Sequence, residues 1–163
     1  MSKLKSNKNL ELKKSRNGLG VFTKKEYKVG DTILEIKGPF IACDVNDNID
    51  EDVRSNAFRY DSNLFIDASG DFPFYLNHSC VPNSKIVKKL KKLYLVAIKN
   101  IIKGEELFFD YSTVIARDDI WTMDCNCGES LCRGRVQRFN KLPKSQKEFY
   151  IKNKIVPNFI LNI

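Results

Sequence analysis

CNCGESLC (residues 125–132) and NHSC (residues 77–80) contain four of the five cysteines in this chain of 163 residues. In the first stretch, one residue separates the first two cysteines and four residues separate the second from the third. A turn at Gly128 would bring these three thiolates together, and tetrahedral zinc needs one further ligand. We therefore predict a structural zinc site held by Cys80, Cys125, Cys127 and Cys132.

Two other interpretations of these cysteines remain open from the sequence. The first is that they are reduced, buried thiols in a chain that binds no metal, although the polar residues between them are poor core formers. The second is that His78, the single histidine of the chain, replaces Cys80 as a ligand. Disulfides are disfavoured, because the Lys-rich, polar residues 1–9 do not form a secretory signal.

Length and composition indicate a single soluble domain. With 42% hydrophobic residues, the chain can bury about 70% of the surface that its unfolded form exposes. No apolar run approaches the ~20 residues of a membrane span, so we expect an intracellular protein, cytoplasmic in a bacterium or nuclear and chromatin-associated in a eukaryote. The net charge of +8 comes from scattered lysines, and the cysteine spacing matches no nucleic-acid-binding finger, so direct nucleic-acid binding is not expected.

Short apolar or alternating stretches, separated by Gly, Asn and Asp, predict a fold that is mostly β with few short helices, in small sheets packed together. The basic residues 88–92 are expected at a hairpin tip, and the acidic residues 46–52 in a loop. One helix is predicted from Ser145 to about Asn153, opened by a capping box between Ser145 and Glu148. The strands are predicted at residues 10–13, 21–23, 32–36, 40–43, 64–68, 86–87 and 93–98.

Four motifs follow one another along the chain: RNGLGVF at residues 16–22, NHSCVPN at 77–83, GEELFFDY at 104–111 and the cysteine-rich stretch. In this order they resemble the SET-domain protein lysine methyltransferases with a post-SET zinc segment, and the closing stretch resembles small stand-alone bacterial members. The resemblance implies a SET domain at residues 8–115, built of small sheets around a pseudoknot-like core. It also implies a post-SET segment at 121–138 and a C-terminal helical tail at 139–163 packed on the same domain.

The resemblance further implies a reaction and the residues that perform it. Members of the family transfer the methyl group of S-adenosylmethionine to the side-chain amine of a protein lysine, leaving S-adenosylhomocysteine. Tyr111 would be the catalytic residue and would face the reacting methyl group. The cofactor would be bound by Asn17, Gly18, Leu19, Gly20, Asn77, His78 and Tyr111. The substrate would be a lysine-bearing protein or peptide such as a histone, and nothing in the sequence indicates an oligomeric state.

Two positions depart from the pattern of the family. Ile36 stands where many members have a tyrosine whose hydroxyl reaches the lysine channel, and Phe74 replaces a polar residue near the cofactor. Phe109 occupies the position that tunes methyl number and favours more than one methyl group. The two departures leave open a catalytically inactive SET-like binding module that retains zinc, and the net charge leaves open a basic zinc module that binds nucleic acid.

Overall fold

The computed structural model describes residues 7–42 and 56–162. These residues form twelve β-strands and two α-helices, so the mostly β prediction is confirmed. Cys43 and the acidic loop predicted at residues 46–52 lie outside the described residues. Neither described helix has the length and apolar character that crossing a bilayer requires. The elements are β1 (Leu10–Ser15), β2 (Gly18–Thr23), β3 (Thr32–Ile36), β4 (Phe40–Ala42), β5 (Ala57–Asp61), β6 (Leu64–Asp67), β7 (Asn77–His78), β8 (Ser84–Lys89), β9 (Lys92–Ala97), β10 (Phe108–Phe109), β11 (Met123–Asp124), β12 (Arg135–Val136), α1 (Lys144–Lys152) and α2 (Asn158–Leu161).

The first motif lies in an antiparallel hairpin of β1 and β2. Gly18, at its turn, has a φ of +93°, a left-handed torsion that glycine adopts without a steric cost. Leu10 and Val21 are buried on the inner face of the hairpin. The backbone N–H of Leu107 donates to the carbonyl of Val21 at 2.8 Å, so the first motif lies directly beside the third.

Two three-stranded antiparallel sheets form the centre of the molecule. In one, β9 lies between β3 and β8, and in the other β6 lies between β4 and β5. Leu93 and Leu95 of β9 are fully buried, and Ile86 of β8 packs in the same core. The predicted hairpin tip is confirmed, because β8 and β9 pair up to Lys89 and Lys92 and the two residues between them make the turn.

The two-residue strands β7 and β10 run parallel and bring the second and third motifs together, with Asn77 opposite Phe108. Asn83 fixes this pairing from the end of the second motif. Its side chain accepts the N–H of Phe108 at 2.9 Å and donates to the carbonyl of Glu106 at 2.7 Å. The chain then enters a short 3-10 helix, Tyr111–Thr113.

The C-terminal part of the chain forms a second, smaller core. The short antiparallel strands β11 and β12 flank the cysteine-rich stretch, and the chain continues through α1 and α2. The apolar side chains of this part pack against one another, and Phe159 also contacts the main core. The buried members are Ala116, Phe139, Leu142, Tyr150, Ile155, Val156 and Ile160.

The predicted start of the helix was wrong by one residue, and its capping box does not form. Pro143 is the N-cap, with extended torsions and no side-chain cap, and the N–H of Lys147 donates to its carbonyl at 3.0 Å. Ser145 therefore lies inside the first turn, where its hydroxyl cannot cap the helix. Proline sets the start because its fixed φ is compatible with a helix entry.

Several other elements differ from the predicted ones. Strands β5, β7, β10, β11 and β12 were not predicted, and β2 begins at Gly18 rather than Val21. Four of the missed strands contain only two residues, too few to show an alternating pattern. These short strands form because distant segments meet in the folded chain, which local sequence does not encode.

Candidate functional site

The sulfur atoms of four cysteines converge at one place. Cys80 follows β7, while the other three lie between β11 and β12. All four Sγ atoms lie within 4.8 Å of one another, and those of Cys80 and Cys125 are 3.7 Å apart. Ligands about 2.3 Å from a tetrahedral zinc ion are about 3.8 Å from each other, so this cluster fits such an ion. The members are Cys80, Cys125, Cys127 and Cys132.

His78 lies beside this cluster and is not part of it. Its Nδ1 atom accepts the backbone N–H of Tyr111 at 3.2 Å, and burial lowers the pKa of the imidazole to about 4. A neutral ring that accepts at Nδ1 carries its proton on Nε2. Nε2 lies 3.3 Å from the Cys80 sulfur, so His78 supports this cysteine by a hydrogen bond instead of replacing it.

A cleft of about 200 Å³ lies between the first motif and the cysteine-rich stretch. Asn126 bridges its two walls, since its side-chain N–H donates to Oδ1 of Asn17 at 3.3 Å. Four of the predicted cofactor residues line the cleft, and Gly18, Leu19 and Gly20 lie beside it in β2. The lining residues are Asn17, Asn77, His78, Tyr111, Met123, Asp124, Asn126 and Cys127.

Glu106 organises this cleft, although the sequence indicated no role for it. The Asn77 side chain donates to its Oε1 at 2.8 Å, and the Ser15 hydroxyl lies 2.8 Å from both carboxylate oxygens. Asn77 also donates to the carbonyl of Leu19 at 3.0 Å, which ties β7 to β2. A half-buried polar network of this kind holds the Asn77 amide in one orientation. The signal for Glu106 was its place inside the third motif.

A second, narrower cavity of about 80 Å³ also has Tyr111 in its wall. The Tyr111 hydroxyl donates to the carbonyl of Leu76 at 2.6 Å. Burial, together with the charge of Glu106, raises the pKa of this phenol, so it stays protonated at neutral pH. The cavity walls are mostly apolar and aromatic, and include Phe58, Pro73, Phe74, Phe109, Val114, Ile115 and Trp121.

The two departures from the family pattern lie in different places. Ile36 is part of the main core, whereas Phe74 is in the wall of the narrow cavity. Arg59 also lines this cavity and is buried, and its guanidinium forms two hydrogen bonds of 2.7 Å with Asp118. This pair fixes the segment that leads to Trp121, a contact that joins residues 59 positions apart and could not be read from the sequence.

Asp110 joins the third motif to the cysteine-rich stretch. It is buried, and both of its oxygens accept hydrogen bonds of 2.8 Å from the Arg133 guanidinium. The backbone N–H of Arg133 also points at the Cys80 sulfur, 3.4 Å away. Arg133 therefore contacts both the cysteine cluster, at Cys80, and Asp110, the residue that precedes Tyr111.

Comparisons with known proteins agree with this geometry. A family model described as the SET domain matches residues 18–112. The histone-lysine N-methyltransferase trithorax of Drosophila virilis is 32% identical over 128 residues, which are 72% of this chain and 3% of that protein. The crystal structure of KRYPTONITE in complex with mCHG DNA and SAH is 26% identical, with a TM-score of 0.62 over 82% of this chain and 30% of that one. A second KRYPTONITE complex, with mCHH DNA, an H3(1-15) peptide and SAH, has a TM-score of 0.59, the same identity and the same coverage. The chain thus spans a small part of the relatives that it matches.

Proposed function

This chain belongs to the SET domain family, and on that premise we propose that it transfers methyl groups from S-adenosylmethionine to the side-chain amine of lysine in a protein substrate. One observation carries the proposal: Tyr111 lines both the cleft of about 200 Å³ and the narrow cavity of about 80 Å³. A methyl donor in the cleft and a lysine side chain in the narrow cavity would meet at its hydroxyl.

The chemistry of the cleft suits the cofactor. Its wall contains the amides of Asn17 and Asn77 and the carboxylate of Asp124, which match the amino, carboxyl and hydroxyl groups of S-adenosylmethionine. Met123 and Tyr111 add apolar surface. When bound, S-adenosylmethionine supplies an electrophilic methyl group to the lysine amine.

The narrow cavity favours the reactive form of lysine. In water the amine has a pKa of about 10.4 and is almost entirely protonated at pH 7. The mostly apolar walls disfavour the charged form and lower this pKa, so a dedicated base is not required. The Asp119 carboxylate also lines the cavity, and the Arg59 guanidinium, 3.9 Å away, offsets its charge. The Tyr111 proton is committed to the Leu76 carbonyl, which leaves the phenolic oxygen free to accept contacts from the amine or from a polarised methyl group. Confinement then aligns the amine for attack.

The substrate we propose is a histone or another lysine-bearing protein. The trithorax relative is named as a histone-lysine methyltransferase, and one KRYPTONITE structure contains a histone H3 peptide, which supports this class of substrate. Phe109 in the cavity wall supports transfer of more than one methyl group. A thiolate cluster persists in reducing compartments, which supports an intracellular location.

We propose zinc as the metal of the thiolate cluster, with a structural role. Four sulfur ligands complete a tetrahedral site and leave no position for a reacting water molecule. Cys127 and Asn126 line the cleft, so a metal bound there would hold one wall of the cofactor site in place.

Methyl transfer tests this function directly. Labelled S-adenosylmethionine is incubated with histones and with host-cell lysate proteins, and methyl-lysine is identified by mass spectrometry. We expect transfer by the wild-type chain and a rate about 10 to 100 times lower for Tyr111→Phe. Tyr60→Phe is the matched control, because the Tyr60 hydroxyl also donates to a backbone carbonyl, that of Lys91 at 3.0 Å, but lies away from both cavities.

Two results would contradict the proposal. A wild-type protein that binds zinc and S-adenosylmethionine but transfers no methyl group would be a SET-like binding module. Equal rates of methyl transfer by Tyr111→Phe and Tyr60→Phe would show that the Tyr111 hydroxyl takes no part in the reaction.

A further inference from the structure

We propose that Tyr150, in helix α1 of the C-terminal tail, is a positioning residue for Tyr111 and that it acts through Asp110. This inference rests on the proposed function, because it concerns the residue assigned to methyl transfer. Tyr150 lies outside residues 18–112, the segment matched by the family model. The inference makes the tail part of the apparatus that places Tyr111.

Hydrogen-bond donors from the tail, from Arg133 and from the backbone surround the Asp110 carboxylate. Oδ1 accepts from the Arg133 guanidinium at 2.8 Å and from the backbone N–H of Ser112 at 3.0 Å. Oδ2 accepts from Arg133 at 2.8 Å and from the Tyr150 hydroxyl at 2.7 Å. Asp110 is almost completely buried, so water cannot replace a lost donor without a structural change. Tyr150 therefore supplies one of two hydrogen bonds to Oδ2.

The Tyr150 hydroxyl proton points to Asp110. The Gln146 side chain donates its N–H to the Tyr150 oxygen at 3.1 Å, which leaves the hydroxyl proton for Asp110. Burial and the Asp110 charge raise the pKa of Tyr150, so the hydroxyl remains a donor through the neutral pH range. A hydrogen bond to a buried carboxylate is among the stronger kinds. Helix α1 thus contacts Asp110 through a hydrogen bond that the Tyr150 hydroxyl donates.

Asp110 in turn fixes the backbone from which the Tyr111 side chain leaves. Asp110 is the N-cap of the 3-10 helix that begins at Tyr111, and its side chain accepts the N–H of Ser112 within that helix. The N–H of Tyr111 is held in turn by His78 Nδ1 at 3.2 Å. Rotation of the Asp110 carboxylate would break the cap and change the direction in which the Tyr111 ring leaves the backbone. An error of about 1 Å in such a group can cost a hundredfold in rate.

The contribution of the hydroxyl can be separated from that of the ring. The Tyr150 ring belongs to the second core with Phe139 and Leu142, and phenylalanine would retain that packing. Tyr150→Phe therefore removes the hydrogen bond to Asp110, together with the one accepted from Gln146, and keeps the ring. Tyr27→Phe is a matched control: both tyrosines are 3% exposed, and the Tyr27 hydroxyl has no hydrogen-bond partner among the described residues.

The experiment compares steady-state kinetics of wild type, Tyr150→Phe and Tyr27→Phe on a methyl-accepting histone or peptide. We expect kcat to fall about tenfold in Tyr150→Phe, about 1.4 kcal/mol of barrier, with KM values within twofold of wild type. Tyr27→Phe keeps the wild-type kcat. In a Tyr111→Phe background, Tyr150→Phe has no further effect, because there is no hydroxyl left to position. An unchanged kcat in Tyr150→Phe, or an equal loss in both backgrounds, overturns the inference.

Amide hydrogen exchange provides a readout that does not depend on turnover. We expect the N–H groups of Tyr111 and Ser112 to exchange faster in Tyr150→Phe than in Tyr27→Phe, while those of the central strand β9 remain unchanged. Equal exchange in the two variants overturns the inference whether or not the protein methylates. A wild-type protein without transferase activity instead contradicts the proposed function, and the exchange rates still decide the role of Tyr150.

Discussion

Gly20 lies in β2 with its α-carbon against the carboxylate of Glu106. A β-carbon added at this position would overlap the Glu106 side chain and lie 3.0 Å from the β-carbon of Ser15. The absence of a side chain therefore allows Glu106 to enter the hairpin and accept from Ser15 and Asn77. Glycine is needed here for close approach, whereas at Gly18 it is needed for the left-handed torsion.

Gly20→Ala should weaken cofactor binding, because the methyl group displaces Glu106 and frees the Asn77 amide. We expect about a tenfold rise in the Kd for S-adenosylmethionine, together with a loss of about 1–3 kcal/mol of folding stability from overpacking. Isothermal titration calorimetry measures the first and urea unfolding the second. Gly104→Ala is the control, since Gly104 has a φ of +87° but open space around its α-carbon. It should lose stability and keep its affinity; equal affinity loss in both variants would show that the effect on binding is indirect.

The turn between β8 and β9 shows a conflict between sequence and structure at the level of one element. Leu90 and Lys91 have φ values of +49° and +59°, torsions that side-chain-bearing residues adopt at a cost. Two-residue hairpins whose central residues both have positive φ favour Asn-Gly. Leu90 is also 83% exposed, so it contributes little to the core. The register of the hairpin is instead set by the buried residues of β9.

Replacing Leu90 and Lys91 by Asn and Gly should therefore stabilise the protein by about 1 kcal/mol. Urea unfolding monitored by circular dichroism would measure this gain, and methyl transfer should not change, because neither turn residue lines the cleft or the narrow cavity. The same pair placed at Lys24 and Lys25 serves as a control, because neither residue has a positive φ. A gain at both places would mean that the effect does not come from the turn.

At the scale of the whole molecule, the thiolate cluster joins segments that are far apart in the chain. Cys80 lies within the second motif, and the other three cysteines lie more than forty residues later. Arg133 extends this link to Asp110, and Asn126 extends it to Asn17 across the cleft. Loss of the metal should release the wall formed by residues 123–127, since binding and folding of such a segment are coupled.

Metal removal should therefore abolish cofactor binding before it unfolds the central sheets. We expect one zinc ion per chain by elemental analysis, and we expect a chelator or Cys132→Ser to eliminate measurable binding of S-adenosylmethionine while most β-sheet circular dichroism remains. Cys43→Ser is the control, because the fifth cysteine falls outside the spacing pattern. Unchanged cofactor affinity in the metal-free protein would contradict a role for the cluster in shaping the cleft.

The motifs were predictable from sequence because each keeps its functional residues close together in the chain. The third motif places Tyr111 directly after Asp110, and the cysteine-rich stretch contains three of the four clustered cysteines within eight residues. The donors to Asp110 were not predictable, since Arg133 and Tyr150 lie 23 and 40 residues away from it. Local sequence patterns do not indicate which distant residues will meet in the folded chain.

The sequence by itself determined the family, the mostly β fold and the cysteines that converge, and it led to the prediction that Tyr111 performs methyl transfer. Those features depend on residue type, short spacing and alternation, which are local properties. Only the tertiary structure decided that Tyr111 lines two cavities, that Glu106 orients Asn77 and that Tyr150 reaches Asp110. Each of these contacts joins segments whose meeting depends on how the sheets and the second core pack, because burial brings together side chains that the chain itself keeps apart.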